Sequence, residues 1–167
     1  MITKPRLEYR REQPFVAIRQ NVSIPFGHLL SPLWDEVHAW LDAMEVLPSG
    51  PPIIRYLTTD MANGLDIEVG FLLDRPILGT DRFSADVFPA GHYAALVYSG
   101  PYDNDGLVGA TGALLDWARQ NHIAWQTTMV EHVEWWKARS EIYLTDPALE
   151  PDPQKWQTEL VFLTRET

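Results

Sequence analysis

Glu141-Ile142-Tyr143 sets a carboxylate and a phenol two residues apart. In extended backbone such a pair shares one face. A carboxylate among aromatic rings attracts an organic cation twice, by countercharge and through the ring faces. The same carboxylate, with its pKa raised by burial, becomes a general acid or base able to activate water. A plainer reading stands beside both, in which Glu141 is solvated at a strand edge or pairs with Arg139 or Lys137. Tyr56 joins the set through repetition: Tyr56-Leu57-Thr58-Thr59-Asp60 is echoed by Tyr143-Leu144-Thr145-Asp146-Pro147, 87 residues on. Glu68-Val69-Gly70-Phe71-Leu72 is echoed by Glu159-Leu160-Val161-Phe162-Leu163, 91 residues on. On the first offset Glu141 takes the place of Ile54, so one copy carries a carboxylate where the other is apolar.

Trp136 and Phe71 complete the expected ring surface. Trp135 and Trp136 are adjacent, so only one can face a given cavity. Phe71 and its echo Phe162 could equally both be core, and either tyrosine hydroxyl could instead satisfy a buried backbone group. Other chemistries lack their residues. The histidines form no His-x-x-x-His pair and the chain has no Cys, which leaves no zinc site of the usual kinds, no disulfide and no thiolate nucleophile. Glu131-His132-Val133-Glu134 contains His-x-Glu without the Pro-Cys-x-x-Cys half of a zinc deaminase signature. Asp103-Asn104-Asp105-Gly106 has the wrong spacing for a calcium loop and reads as a helix-capping turn. No Gly-rich phosphate loop or Gly-x-Ser-x-Gly elbow occurs. No metal and no cofactor is expected.

The elements that must hold these residues follow from periodicity. Pro14 to Val22 reads as a strand. From Ser31 to Val46 the residues Leu33, Trp34, Val37, Trp40, Leu41 and Met44 recur at helical spacing, after a Ser-Pro start that suits N-cap and N1. Strands follow at Ile53 to Thr59 and Leu65 to Leu73, with a turn at Ala62-Asn63-Gly64. The second half repeats the order: a strand from Arg82 to Tyr98 bent at Pro89-Ala90-Gly91, a helix from Asp105 to Asn121, and strands at Glu141 to Thr145 and Thr158 to Arg165. This predicts an α+β fold, a tandem β-α-β-β repeat (about 14–75 and 82–165) in one domain over 1–167. Its pseudo-twofold axis would leave a ligand cleft between the repeats, under an antiparallel sheet with two long helices on one side. Ile123 to Ser140, with Trp125, Trp135 and Trp136, is an insertion without a counterpart.

The totals narrow the partners. A net charge of −10 and no basic cluster argue against nucleic acid. With no apolar run of membrane-spanning length, no signal core and no Cys, a cytoplasmic protein with no membrane partner is expected.

Gly91-His92-Tyr93, Ser99-Gly100-Pro101-Tyr102-Asp103, Glu141-Ile142-Tyr143-Leu144-Thr145-Asp146-Pro147 and Thr158-Glu159-Leu160, in that order on a duplicated β-α-β-β chain, resemble the GyrI-like small-molecule-binding family. This is also the effector-binding domain of multidrug-responsive transcription regulators. The resemblance runs from about Phe15 to Arg165. It implies a pseudo-twofold α+β domain with a cleft between its units, and it makes the glutamate of the Glu-x-Tyr motif, here Glu141, the central binding carboxylate. Members that resemble this chain differ in what they do: many bind lipophilic cationic drugs or dyes beside a DNA-binding region, some hydrolyse strained cyclopropane-type electrophiles with that glutamate, and one type inhibits a topoisomerase. No helix-turn-helix segment is visible here, so a stand-alone domain is expected.

Three functions are therefore carried forward. The first is binding of an amphipathic, cationic small molecule by Glu141, Tyr143, Tyr56, Trp136 and Phe71. The second is a hydrolase with Glu141 as general acid/base. The third is an acidic protein-interaction module, supported by net charge alone.

Overall fold

In the computed structural model, which describes residues 1–60 and 62–166 and only the backbone of Asn104, the chain runs in order through β1 (Arg6–Arg10), β2 (Gln13–Val22), α1 (Gly27–Ala43), β3 (Pro52–Tyr56), β4 (Leu65–Leu72), β5 (Ser84–Phe88), β6 (Gly91–Ser99), α2 (Asn104–Gln120), β7 (Thr127–Val130), β8 (Val133–Trp136), β9 (Arg139–Tyr143) and β10 (Gln157–Leu163). Eight strands form one antiparallel sheet in the order β1-β6-β10-β9-β3-β4-β2-β5, and β7 and β8 form a separate hairpin. β1 and β2 are two arms of one bent strand, and β5 and β6 are two arms of another. Their register carries through the bend without a slip: Arg6 faces Ala95, Arg10 faces Gly91, Gln13 faces Phe88 and Ala17 faces Ser84. Because these arms lie at opposite ends of the strand order, joining them curls the sheet.

The curl gives the sheet two apolar faces. Phe15, Ile53, Phe88, Tyr93, Ile142, Val161 and Leu163, drawn from six strands, pack together on the inner face. Their alternating neighbours point outward to the helices. Val16, Ile18 and Phe71 meet Val37 and Leu41 of α1, while Ala94, Leu96 and Phe162 meet Ala110 and Leu114 of α2. Both helices thus cover one side. A fourth cluster bridges them, with Leu30, Leu33 and Trp34 from α1 and Leu107 from α2 around Ile54, Ile67, Val69 and Tyr143.

Three boundaries depart from the sequence reading. β1 is an additional strand: its half-buried residues are Arg6, Glu8 and Arg10, whereas Leu7 and Tyr9 are exposed. The charged side is held by Glu159 of β10, 2.9 Å from Nη2 of both Arg6 and Arg10. α1 begins at Gly27, not at a Ser31 cap, and Phe26 at its N-cap makes no side-chain cap bond. The extra turn is held by packing of Phe26 and Leu30, and Pro32 sits inside the helix. α2, by contrast, has the cap expected of Asp103, whose Oδ1 accepts the Gly106 N–H at 2.8 Å. The inserted stretch is the β7–β8 hairpin. It turns at Glu131 and His132, both at positive φ (50° and 70°), and is tied to the end of β3 by a bridge from Thr58 to Trp135. Among the described residues no helix is long and apolar enough to cross a membrane.

Candidate functional site

β9 and β3 are the two middle strands of the sheet, so a residue at their junction is shielded from both edges. Glu141 stands there, opposite Ile54 on β3 and Leu160 on β10. Both neighbours are fully buried, and Glu141 itself is 4% exposed. The carboxylate is not ion-paired, since among the described residues no cationic side chain lies within 4.0 Å of it. Its partners are phenols. Tyr143 Oη donates to Glu141 Oε1 at 2.7 Å and Tyr56 Oη to the same oxygen at 3.0 Å. Oε2 accepts nothing from the described residues and is not among the atoms closed off from solvent, so it looks onto the cleft.

Burial pushes the Glu141 carboxyl above its ordinary range, opposed by the Tyr143 and Tyr56 hydroxyls and by the positive charge of Arg139. The same burial, together with the neighbouring carboxylate, pushes both phenols well above theirs, so they remain donors.

A cleft of about 1270 Å³ opens above these residues, between the N-terminal turns of the two helices. Its floor includes Tyr56, Phe71, Arg139, Glu141 and Tyr143. Its walls include Phe26, Leu30 and Trp34 on one side and Tyr102, Leu107 and Val108 on the other. The rings lock one another: Trp34 and Tyr102 both pack edge-on against Tyr143, with centroids 5.3 and 5.0 Å away. Trp34 is anchored through its Nε1–H to the Ile53 carbonyl (3.2 Å) and Tyr102 through its hydroxyl to the Thr145 carbonyl (2.7 Å). A carboxylate at the base of a deep, mostly apolar cleft with pre-set rings matches the build of small-molecule sites.

Residues 3–163 match the sequence pattern of the GyrI-like small molecule binding domain. The chain belongs to that family. Among solved structures the GyrI-like fold recurs in the C-terminal domain of EcmrR, with a TM-score of 0.77 at 18% identity, 98% of each chain being covered. Within the larger EcmrR chain of a DNA complex the same match spans 58% of that chain. A hydrolase from Listeria innocua gives a TM-score of 0.59 at 16% identity over 97% of this chain and 92% of that one. SAV2435, solved bound to tetraphenylphosphonium, gives 0.58 at 9% identity over 98% and 94%. At these identities the likeness is one of fold. No curated protein matches the sequence.

In this GyrI-like domain, four of the five residues picked out in the sequence line the cleft: Glu141, Tyr143, Tyr56 and Phe71. Trp136 does not. Its ring is buried against Trp125 and Phe162 under α2, and it touches the site through Arg139, whose guanidinium carbon lies 4.5 Å from its centroid. Trp34 and Tyr102 were not picked out. Trp34 looks like any ring on a helix's apolar face, whereas Tyr102 stands in the Gly-Pro-Tyr-Asp motif and could have been carried over with it.

Proposed function

We propose that this domain binds an amphipathic, cationic small molecule in the cleft, with Glu141 as countercharge and Tyr143, Tyr56, Trp34, Tyr102 and Phe71 as ring surface. The observation that carries the reading is the Glu141 carboxylate, buried without an ion pair and with one oxygen turned to the cleft. A buried carboxylate with no cationic partner is costly, and a ligand cation relieves that cost. The tetraphenylphosphonium in SAV2435 supports the reading, because a protein of this fold binds a lipophilic cation. By the same likeness the domain would serve as an effector-binding module of the kind joined to transcription regulators.

The test is Glu141→Gln, which keeps an acceptor for both tyrosine hydroxyls and removes the charge. Affinity for tetraphenylphosphonium should fall at least about tenfold, as loss of a charged partner implies, while a neutral aromatic of similar size should bind as before. Equal loss for both would sink the countercharge role. The raised carboxyl also favours a second reading, a general acid/base acting on a strained electrophile. Water-added product that forms with the wild type, vanishes with Glu141→Gln and follows a single ionisation would decide for turnover.

A further inference from the structure

The floor of the cleft holds a second charged group. Arg139 lies two residues before Glu141 on β9 and shares its face, with Cα atoms roughly 6.6 Å apart at the usual strand rise. Its guanidinium is boxed by three rings, 4.5 Å from the centroid of Trp136, 4.6 Å from Phe162 and 5.4 Å from Tyr56. Stacking covers the faces of a guanidinium and leaves its N–H edges to find acceptors. Here they find none among the described residues: no hydrogen bond or ion pair leaves Arg139, and Nε is closed off from solvent. Arg55 is a useful contrast. It too lies over rings, those of Phe15 and Phe88, and its Nε is likewise closed off without an acceptor, but its Nη1 donates to Glu68 at 2.7 Å and its Nη2 to the Lys137 carbonyl at 2.8 Å.

Burial holds the Arg139 pKa below its usual value, as expected of a cation enclosed without a partner. Arg139 is also the one Arg or Lys lining the cleft among the described residues, whose other charged lining residues are Asp35, Asp103, Asp146 and Glu141.

We infer that Arg139 is a second ligand-binding residue, and that the cleft takes a zwitterionic amphiphile whose carboxylate or similar anionic group meets the guanidinium while its cationic end meets Glu141. A bare anion is disfavoured by the three aspartates. A bare cation leaves the guanidinium unpartnered and adds positive charge beside it. A ligand with both charges answers both groups, and the fixed Arg139–Glu141 spacing sets the distance between them. The inference rests on the binding reading of the cleft given above and adds the ligand's charge pattern.

Rhodamine B, a zwitterion at neutral pH, and its ethyl ester, a cation with the same rings, separate the two contributions by fluorescence anisotropy on the full chain. The free acid should bind about tenfold tighter than the ester, as one charge-assisted hydrogen-bonded pair implies, and Arg139→Met should abolish or reverse that preference. An ester that binds as well as the acid or better, with both weakened in Glu141→Gln, would overturn the role of Arg139 and leave the cationic-ligand reading standing. An acid preference that persists in Arg139→Met would also overturn it. Binding of neither dye would overturn both. The wild-type comparison of acid and ester holds whether or not Arg139→Met folds.

Discussion

Glu141 ties stability to pH in a sign that can be worked out. Its ordinary value is 4.5, and burial raises it in the folded chain. The folded state therefore holds the proton more tightly than the unfolded state does. The stability this contributes is complete below about pH 4.5 and is lost as pH rises through the folded value. Glu141→Gln, which cannot ionise, should match the wild type in acid and become the more stable of the two toward neutral pH. Affinity for a cation should rise over the same window as the carboxylate forms. Urea midpoints of both proteins from pH 4 to pH 8 test this, and a constant difference would show that Glu141 does not titrate there. The Glu141-x-Tyr143 pair is legible because strand alternation alone puts the two side chains on one face, and Tyr56 because its segment echoes that of Tyr143. Arg139 was not singled out as a ligand group, because its missing acceptor is a property of tertiary packing and leaves no mark in the sequence.

Elements whose apolar residues are the buried ones stand out in the sequence, and those with an inverted pattern do not. β2, β4 and β10 carry runs of Val, Ile, Leu and Phe buried on both faces of the curled sheet, so their strands stand out. β1 buries its charged residues and exposes its apolar ones, an arrangement that Glu159 makes stable and that periodicity cannot anticipate. The start of α1 was misplaced for a related reason, since packing at the cleft mouth outweighs a favourable Ser-Pro cap. One glycine marks where two strands meet too closely for a side chain. A Cβ on Gly70 of β4 would stand 1.8 Å from the Val16 carbonyl oxygen on β2. Gly70→Ala must push these strands apart. It should cost about 3 kcal/mol, within the range for overpacked core positions, read as a lower urea midpoint with an unchanged slope. A midpoint equal to that of the wild type would show that the β2–β4 ladder yields freely.

At the scale of the molecule, the cleft belongs to neither half of the chain. Tyr56, Phe71 and Trp34 come from the first half, and Tyr102, Glu141 and Tyr143 from the second. The central ladder among those that join the halves sets Ile54 opposite Glu141 and Arg55 opposite Ser140. Ile54 and Glu141 are also the residues matched by the 87-residue offset. We propose that this register is that of a twofold-related duplication, in which equivalent residues would face one another where their strands cross the axis. A ligand seated across that junction should hold both halves at once. At one hundred times its dissociation constant it adds about 2.7 kcal/mol to the folded state, which for a chain of this length raises Tm by roughly 5–10 °C. Because the sheet runs unbroken from β1 to β5, the whole transition should move as one, with calorimetric and van't Hoff enthalpies equal with and without ligand. Two resolved transitions, of which ligand shifts only one, would mean that the halves unfold separately and that the site belongs to one of them.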